Sequence, residues 1–240
     1  MYNTNLNHAA IKQIDGIDCI DIDNLPIKYV NHKFKSRNVN WSKLLMLVDI
    51  SHASKKYATL VIEKHFTCYL LRDSTDAIIN QRTAKECLLT KVFSDSIADV
   101  FNISNKRPII HSKASLLPLQ TRNHSRHHSW INANLVDYSI SGRQSNSVFI
   151  YTPDDTIYIK VSERPSYLKK KFAEVQQMQL ALLGMLSSLN ICCREINQSV
   201  SNNPNDNPAC RYGIPKEKLQ QFILTFAKKF YLTNQENKKD

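Results

Sequence analysis

The sequence predicts an α+β protein in which helices back a single antiparallel β-sheet. Three observations support this class: a hairpin pattern between residues 130 and 152, a strongly apolar helical face after residue 165, and the absence of strand–helix alternation of the βαβ kind. The chain has 240 residues, of which 42% are hydrophobic and 22% charged, so it can bury a sizeable core. No change in composition marks a boundary between domains.

The N-terminal half is predicted to start extended and then become helical. Residues 14–25 alternate Ile with Asp, which is typical of an edge strand or an extended arm. Residues 41–50 are apolar enough to be buried. Residues 63–81 indicate a helix with a break near Asp73, and residues 86–93 alternate in the manner of a strand.

The C-terminal half carries the clearest local signals. Residues 102–123 contain two prolines and predict a loop around a short apolar turn at residues 116–119. Residues 130–140 and 147–152 flank a turn containing Gly142 and predict a hairpin. A long helix is expected to begin after Pro165, with Ser166 as its cap. Further strands are expected at residues 156–161, 191–200, 210–214 and 221–226, before a frayed tail at residues 234–240.

The formal charge is +11, and it is unevenly distributed. Residues 106–171 hold 11 Lys and Arg against 4 Asp and Glu, a local balance of +7. Such a region can follow phosphates, attract a small anion or keep the protein in solution. No helix-turn-helix, RNP or C2H2 signature accompanies it, so the charge alone does not choose among these roles.

Several functional classes are disfavoured by the sequence. Neither a signal peptide nor a membrane-spanning apolar stretch is evident, which predicts a cytoplasmic protein without a membrane partner. The six cysteines form no CxxC pair, which favours reduced, buried thiols over disulfides or zinc. Only four glycines are present, so a glycine-rich nucleotide loop is not expected. The prediction is therefore no cofactor and no metal.

The densest polar cluster is RNHSRHHS at residues 122–129. Its histidines and arginines could bind a metal, a phosphate or a carboxylate, because imidazole is a metal ligand and guanidinium pairs with anions. No carboxylate or cysteine stands nearby at ligand spacing. A solvated basic loop is the favoured interpretation.

Several short sequence segments within residues 66–231 follow one another in an order that resembles the chorismate pyruvate-lyase (4-hydroxybenzoate synthase) family. They are LLRDST at residues 70–75, the hairpin and its Pro corner at residues 129–153, ALLGML at residues 181–186, CREI at residues 193–196, and RY at residues 211–212 with residues 222–230. The resemblance implies a chorismate lyase-like domain at residues 59–233, preceded by an extension at residues 1–58.

The resemblance implies the reaction of that family, in which pyruvate is eliminated from chorismate and 4-hydroxybenzoate remains. The reaction takes place in a closed pocket without metal or cofactor. The resemblance places Asn132 where the family has an Arg and Lys228 where it has a Glu. These two positions would be catalytic. The substrate-binding positions that it implies are Arg126, Trp130, Gly184, Arg194 and Arg211. Because both charged anchors differ, an active lyase and a protein that only binds a small aromatic carboxylate both remain open.

A non-enzymatic module for nucleic acid or protein interaction, using the basic region at residues 106–171, is the alternative. Such a module predicts binding with a steep salt dependence. The sequence gives no prediction of the oligomeric state.

Overall fold

A computed structural model describes residues 6–36, 38–85, 88–110, 114–120, 127–140, 147–153 and 156–197, together with 217–218, 221–222 and 224–225. The chain divides into two compact units. The first comprises Met1–Lys85 and His111–Phe172, and the second comprises Glu86–Ile110 and Ala173–Asp240.

Twelve strands lie within the described residues. In chain order they are β1 (Ile11–Ile14), β2 (Ile17–Asp21), β3 (His32–Phe34), β4 (Leu44–Asp49), β5 (Thr59–Glu63), β6 (Thr67–Leu71), β7 (Ile109–Ile110), β8 (Ser115–Pro118), β9 (Trp130–Asn132), β10 (Asp137–Ile140), β11 (Val148–Tyr151) and β12 (Tyr158–Val161).

The strands form two sheets. One has five strands in the order β1-β2-β12-β11-β10, and the other has seven in the order β3-β6-β5-β4-β9-β8-β7. Most pairings are antiparallel, while β12 with β2 and β3 with β6 are parallel. The predicted α+β class is therefore confirmed, but the single sheet is corrected to two. Local periodicity identifies strands without showing which strands pair, so it could not separate the sheets.

Three long helices lie within the described residues: α1 (Thr75–Lys85), α2 (Leu88–Val100) and α3 (Pro165–Asn197). Single 3-10 turns occur at His8–Ala10, Ile27–Tyr29 and Lys64–Phe66. The Ser74 hydroxyl oxygen accepts a hydrogen bond from the Ala77 N–H at 3.2 Å and caps α1. The predicted long helix is present as α3, but it begins at Pro165, so Ser166 lies inside the helix and is not its cap. A proline is tolerated at the first helical position because its missing N–H has no partner there in any case.

The core of the first unit is built around β4 and β5. Every residue of both strands is buried, and β4 is apolar from Leu44 to Val48. A strand buried on both faces has no reason to alternate polar and apolar residues, which explains this continuous run. Helix α1 contacts β4.

The first hairpin turns at Asp15 and Gly16, which have φ angles of 53° and 79°. Two successive positive φ values characterise the two-residue turn that matches the twist of paired strands. The predicted extended segment at residues 14–25 is thus the second half of a hairpin, with β2 as its strand.

Three predictions in the N-terminal half and centre were wrong. Residues 67–71, expected to be helical, form β6, because pairing with β5 and β3 on its two sides satisfies the backbone. The strand expected at residues 86–93 is instead the start of α2 at Leu88. The expected loop at residues 102–123 contains β7 and β8.

The predictions for the C-terminal half were partly right and partly wrong. The predicted hairpin is confirmed as β10 and β11, and β12 extends that sheet as expected, although β9 belongs to the other sheet. The strand expected from residue 191 is wrong, because α3 runs on to Asn197. Gln221, Phe222, Leu224 and Thr225 are helical rather than extended. Residues 210–214 lie outside the described part of the chain.

Candidate functional site

Strand β3 forms one edge of the seven-stranded sheet, and lysines lie in it and on both sides of it. Among the described strands its neighbour in that sheet is β6, with His32 opposite Tyr69 and Phe34 opposite Leu71. An isolated antiparallel bridge joins Leu6 to Val30 just before β3. Lys28 precedes the strand, Lys33 lies within it and Lys35 follows it, and all three side chains are exposed. We call these three lysines the basic edge.

The sequence around the basic edge is strongly unbalanced in charge. Residues 24–63 contain 7 Lys and Arg against 2 Asp and Glu. The six lysines of this stretch are all exposed, since Lys43, Lys55 and Lys56 share the exposure of the basic edge. The two acids, Asp49 and Glu63, are only 1% and 6% exposed. The exposed charged groups of residues 24–63 are therefore more strongly positive than the net charge of this stretch suggests.

The two acids are buried because neighbouring polar groups bind them. Asp49 accepts hydrogen bonds from the Ser51 N–H and hydroxyl, both at 3.1 Å, and from the His127 N–H at 3.2 Å. Glu63 accepts one from the Tyr69 hydroxyl at 2.8 Å and one from the Asn40 N–H at 3.3 Å. A buried carboxylate is tolerated when hydrogen bonds replace its water. Neither acid presents its carboxylate at the surface beside the lysines.

Aromatic rings accompany the lysines. The His32 and Phe34 rings stack with their centroids 6.3 Å apart and their planes at 22°. The Phe34 ring meets the Tyr69 ring edge-on at 5.8 Å. The ammonium group of Lys28 lies 5.5 Å from the centre of the Tyr29 ring. Cations and rings therefore share the same short segment.

The histidines at the end of the predicted polar cluster are tied to the start of α1. The His127 Nδ1 atom lies 2.7 Å from Asp76 Oδ2, and the His128 carbonyl accepts a hydrogen bond from the Thr75 hydroxyl at 2.8 Å. The Ser129 hydroxyl oxygen accepts one from the Asp49 N–H at 2.9 Å. These contacts join β9 to α1 and β4, so this part of the cluster is held in place by the fold. Residues 121–126 lie outside the described part of the chain.

Asn132, a predicted catalytic position, lies in β9 of the seven-stranded sheet. It is 0% exposed. Its Oδ1 accepts hydrogen bonds from the Ser115 N–H at 3.1 Å and the Asn134 N–H at 3.2 Å, while its Nδ2 donates to the Leu44 carbonyl at 2.9 Å. The amide is therefore engaged on both sides and joins three separate segments.

Trp130, a predicted substrate-binding position, lies two residues before Asn132 in the same strand. It is 8% exposed, and its ring meets the His128 ring edge-on at 6.3 Å. Its indole N–H is buried and meets no acceptor within the described part of the chain. An indole N–H can only donate, so this buried donor has no hydrogen-bond partner among those residues.

The other predicted site residues lie elsewhere. Gly184 is a buried residue of α3, and Arg194 belongs to the same helix, in the second unit. Arg126, Arg211 and Lys228 lie outside the described residues, so their predicted roles remain predictions. Within the described residues, only Asn132 and Trp130 are brought close together, by their shared strand.

The predicted basic region at residues 106–171 has fewer available cations than its sequence suggests. Arg107 pairs with Asp99, and Lys160 pairs with Asp21 at 3.1 Å. Lys171 is only 3% exposed. Arg164 and Lys169 are exposed. Part of the local charge of +7 is thus neutralised or buried within the fold.

The basic edge was not identified from the sequence, although a signal existed. No Asp or Glu occurs between Asp23 and Asp49, a stretch that contains four lysines and an arginine. A search of the sequence for long segments that contain lysines but no acids would have identified this stretch.

The described cysteines and acids do not indicate a reactive or metal-binding centre. Cys19 and Cys68 are free and buried, as predicted. Burial raises the pKa of both thiols, which disfavours the thiolate that a nucleophile needs. No group of three or more His, Cys, Asp or Glu within the described ranges could hold a metal ion. Among those same residues, no helix combines the length and apolar character that crossing a membrane requires.

No family model, curated protein or solved structure matches this chain.

Proposed function

We propose that this chain binds nucleic acid through the basic edge. The observation that carries the proposal is the contrast within residues 24–63, where six lysines are exposed and both acids are buried and hydrogen-bonded. A polyanion contacting this surface meets lysines without meeting an exposed carboxylate of the same stretch. Phosphate contacts of this kind supply most of the sequence-independent affinity of nucleic-acid-binding proteins.

The strand position supports the same proposal. Lys28, Lys33 and Lys35 lie within eight residues, and β3 is the last of the described strands at its end of the seven-stranded sheet. All three lysine side chains are exposed, so a phosphate backbone can approach them. Each lysine that neutralises a phosphate releases condensed counterions and steepens the salt dependence of binding.

The proposal is tested with two variants of equal charge. The triple variant K28Q/K33Q/K35Q removes the basic edge, and the matched control K12Q/R164Q/K169Q removes three other exposed cations of the first unit. Both have the same formal charge. Binding of a labelled oligonucleotide is measured by fluorescence anisotropy over a range of salt concentrations.

Each phosphate contact contributes ~0.7 to 0.9 to the slope of log K against log salt. Because the K28Q/K33Q/K35Q variant removes three contacts, we expect its slope to be shallower by about 2 to 3. The control is expected to lose less than about 1. An equal loss in both variants would show that only total charge matters. Failure of the native protein to bind at low salt would refute the proposal.

A second proposal, that the chain binds a small aromatic carboxylate or acts as a chorismate lyase, is supported by the family-like strings and by Trp130. The buried indole N–H could donate to a carboxylate oxygen. Against catalysis stands Asn132, whose amide is engaged within the sheet. Incubating the protein with chorismate tests the enzymatic form: release of pyruvate and 4-hydroxybenzoate supports it, and no release rejects it.

Binding without turnover is tested by the fluorescence of the indole. The chain has two tryptophans, so the variant W41F leaves Trp130 as the reporter. A saturable change of its emission on titration with 4-hydroxybenzoate supports carboxylate binding. Unchanged emission together with no heat of binding in calorimetry rejects it.

A further inference from the structure

We propose that β3 provides a stacking surface for unpaired bases, so that the preferred ligand of the basic edge is single-stranded nucleic acid. The inference rests on the proposed function and specifies its ligand. It starts from the alternation in HKFK at residues 32–35. Successive side chains of a strand point to opposite faces, so His32 and Phe34 share one face while Lys33 lies on the other.

The rings on that face form a layer that is fixed at one end. Tyr69 is buried, and its hydroxyl donates to Glu63 at 2.8 Å. Phe34 is half-buried and meets the Tyr69 ring edge-on, and His32 stacks on Phe34. Because Tyr69 belongs to the core, the position of Phe34 is constrained by the fold rather than by solvent.

The other end of the layer is open. His32 is exposed, whereas Phe34 and Tyr69 are not. A base that stacks on the exposed imidazole continues the layer of rings. Histidine is one of the side chains on which unpaired bases stack, and such stacking tolerates any base because every base has a π-face.

The adjacent lysines supply the second part of a single-strand site. Proteins that bind single strands combine cations that follow the backbone with rings that take the bases. Lys28 and Lys35 flank the ring layer in sequence, Lys33 lies on the opposite face of the same strand, and all three are exposed. In a duplex the bases already stack on one another, so their faces are not available to His32. The arrangement therefore favours a single strand.

The experiment compares three ligands of about twelve nucleotides, a length within the usual range for such sites. They are a single-stranded oligothymidylate, a strand of abasic sugars with the same phosphates, and a duplex. The variants are His32→Ala, His32→Tyr, Lys33→Gln and the control His52→Ala, which removes another exposed histidine of the first unit. Affinity is measured by anisotropy, and the melting temperature confirms that each variant is folded.

We expect His32→Ala to weaken binding of the oligothymidylate about tenfold and to leave the abasic strand unaffected, since one stacked base contributes ~1–3 kcal/mol. His32→Tyr is expected to restore binding. Lys33→Gln should weaken binding of all three ligands and lower the salt slope by ~0.7 on single strands. His52→Ala should change none of these affinities.

Three results would overturn the stacking inference. They are an equal effect of His32→Ala on the abasic strand, no effect on the oligothymidylate, and tighter binding of the duplex that does not depend on His32. In each case the basic edge still binds nucleic acid, so the proposed function survives. If none of the ligands binds the native protein, the proposed function itself fails.

Discussion

Replacing Asn132 tests whether this residue serves the fold or a ligand. Asn132→Ala removes the acceptor that the Ser115 and Asn134 N–H groups use and the donor that the Leu44 carbonyl uses. A buried backbone group that loses its partner costs ~1–3 kcal/mol. Three such groups are affected, and one of the three bonds is only partly buried. We therefore expect a loss of about 3 kcal/mol in the free energy of unfolding.

The assay follows unfolding by tryptophan fluorescence. Trp41 and Trp130 are the only tryptophans in the sequence, and both belong to the first unit, so the signal reports on the unit that contains Asn132. A loss of about 3 kcal/mol corresponds to a fall of about 6–12 °C in the melting temperature for a unit of this size. The control Asn38→Ala changes an exposed residue and should stay within about 0.5 kcal/mol of the native protein.

A small change in stability would contradict a structural role of Asn132. If Asn132→Ala unfolds within about 0.5 kcal/mol of the native protein, the amide does not hold the three segments together. Asn132 would then be available for a ligand, as the family resemblance implies.

Two further predictions concern buried polar groups of the seven-stranded sheet. Burial raises the pKa of the Cys68 thiol, so the folded chain keeps a proton that the unfolded chain releases above about pH 8.5. The free energy of unfolding should therefore fall as the pH rises beyond that value, and Cys68→Ala should flatten this dependence in urea titrations; an unchanged slope would contradict it. Tyr69→Phe removes the hydroxyl that donates to Glu63, and we expect a loss of about 1–3 kcal/mol in the same assay. A variant as stable as the native protein would show that the buried carboxylate does not need this donor.

The fold class could be predicted because it depends on local patterns that the sequence displays openly. The hairpin of β10 and β11 and the start of α3 at Pro165 both follow from short-range signals. β6 could not be predicted in the same way. Its five residues, TCYLL, are as compatible with a buried helix as with a strand, and pairing with β5 and β3 decides between them.

The C-terminal part of α3 shows the opposite error. Residues 191–197 contain Ile and two cysteines, which favour a strand by propensity, yet the helix continues through them to Asn197. Propensity is a weak guide when an established helix can add one hydrogen bond for each residue it gains.

The site was predictable only in part, because charge and burial depend on partners that are distant in sequence. Lys160 is neutralised by Asp21, which lies 139 residues earlier, and the Asn132 amide binds Leu44, 88 residues earlier. Neither contact leaves a local signature. The stretch between Asp23 and Asp49, by contrast, contains no acid, and this local feature does indicate the basic edge.

The most direct test of the central claim is a lysine-protection experiment on the native protein. Exposed lysines are acetylated with and without a bound oligonucleotide, and the modification of each is quantified by mass spectrometry. Binding through the basic edge predicts protection of Lys28, Lys33 and Lys35, while the exposed Lys12 and Lys169 remain reactive. Protection of Lys169 without protection of the basic edge would contradict the proposal and return the interface to residues 106–171.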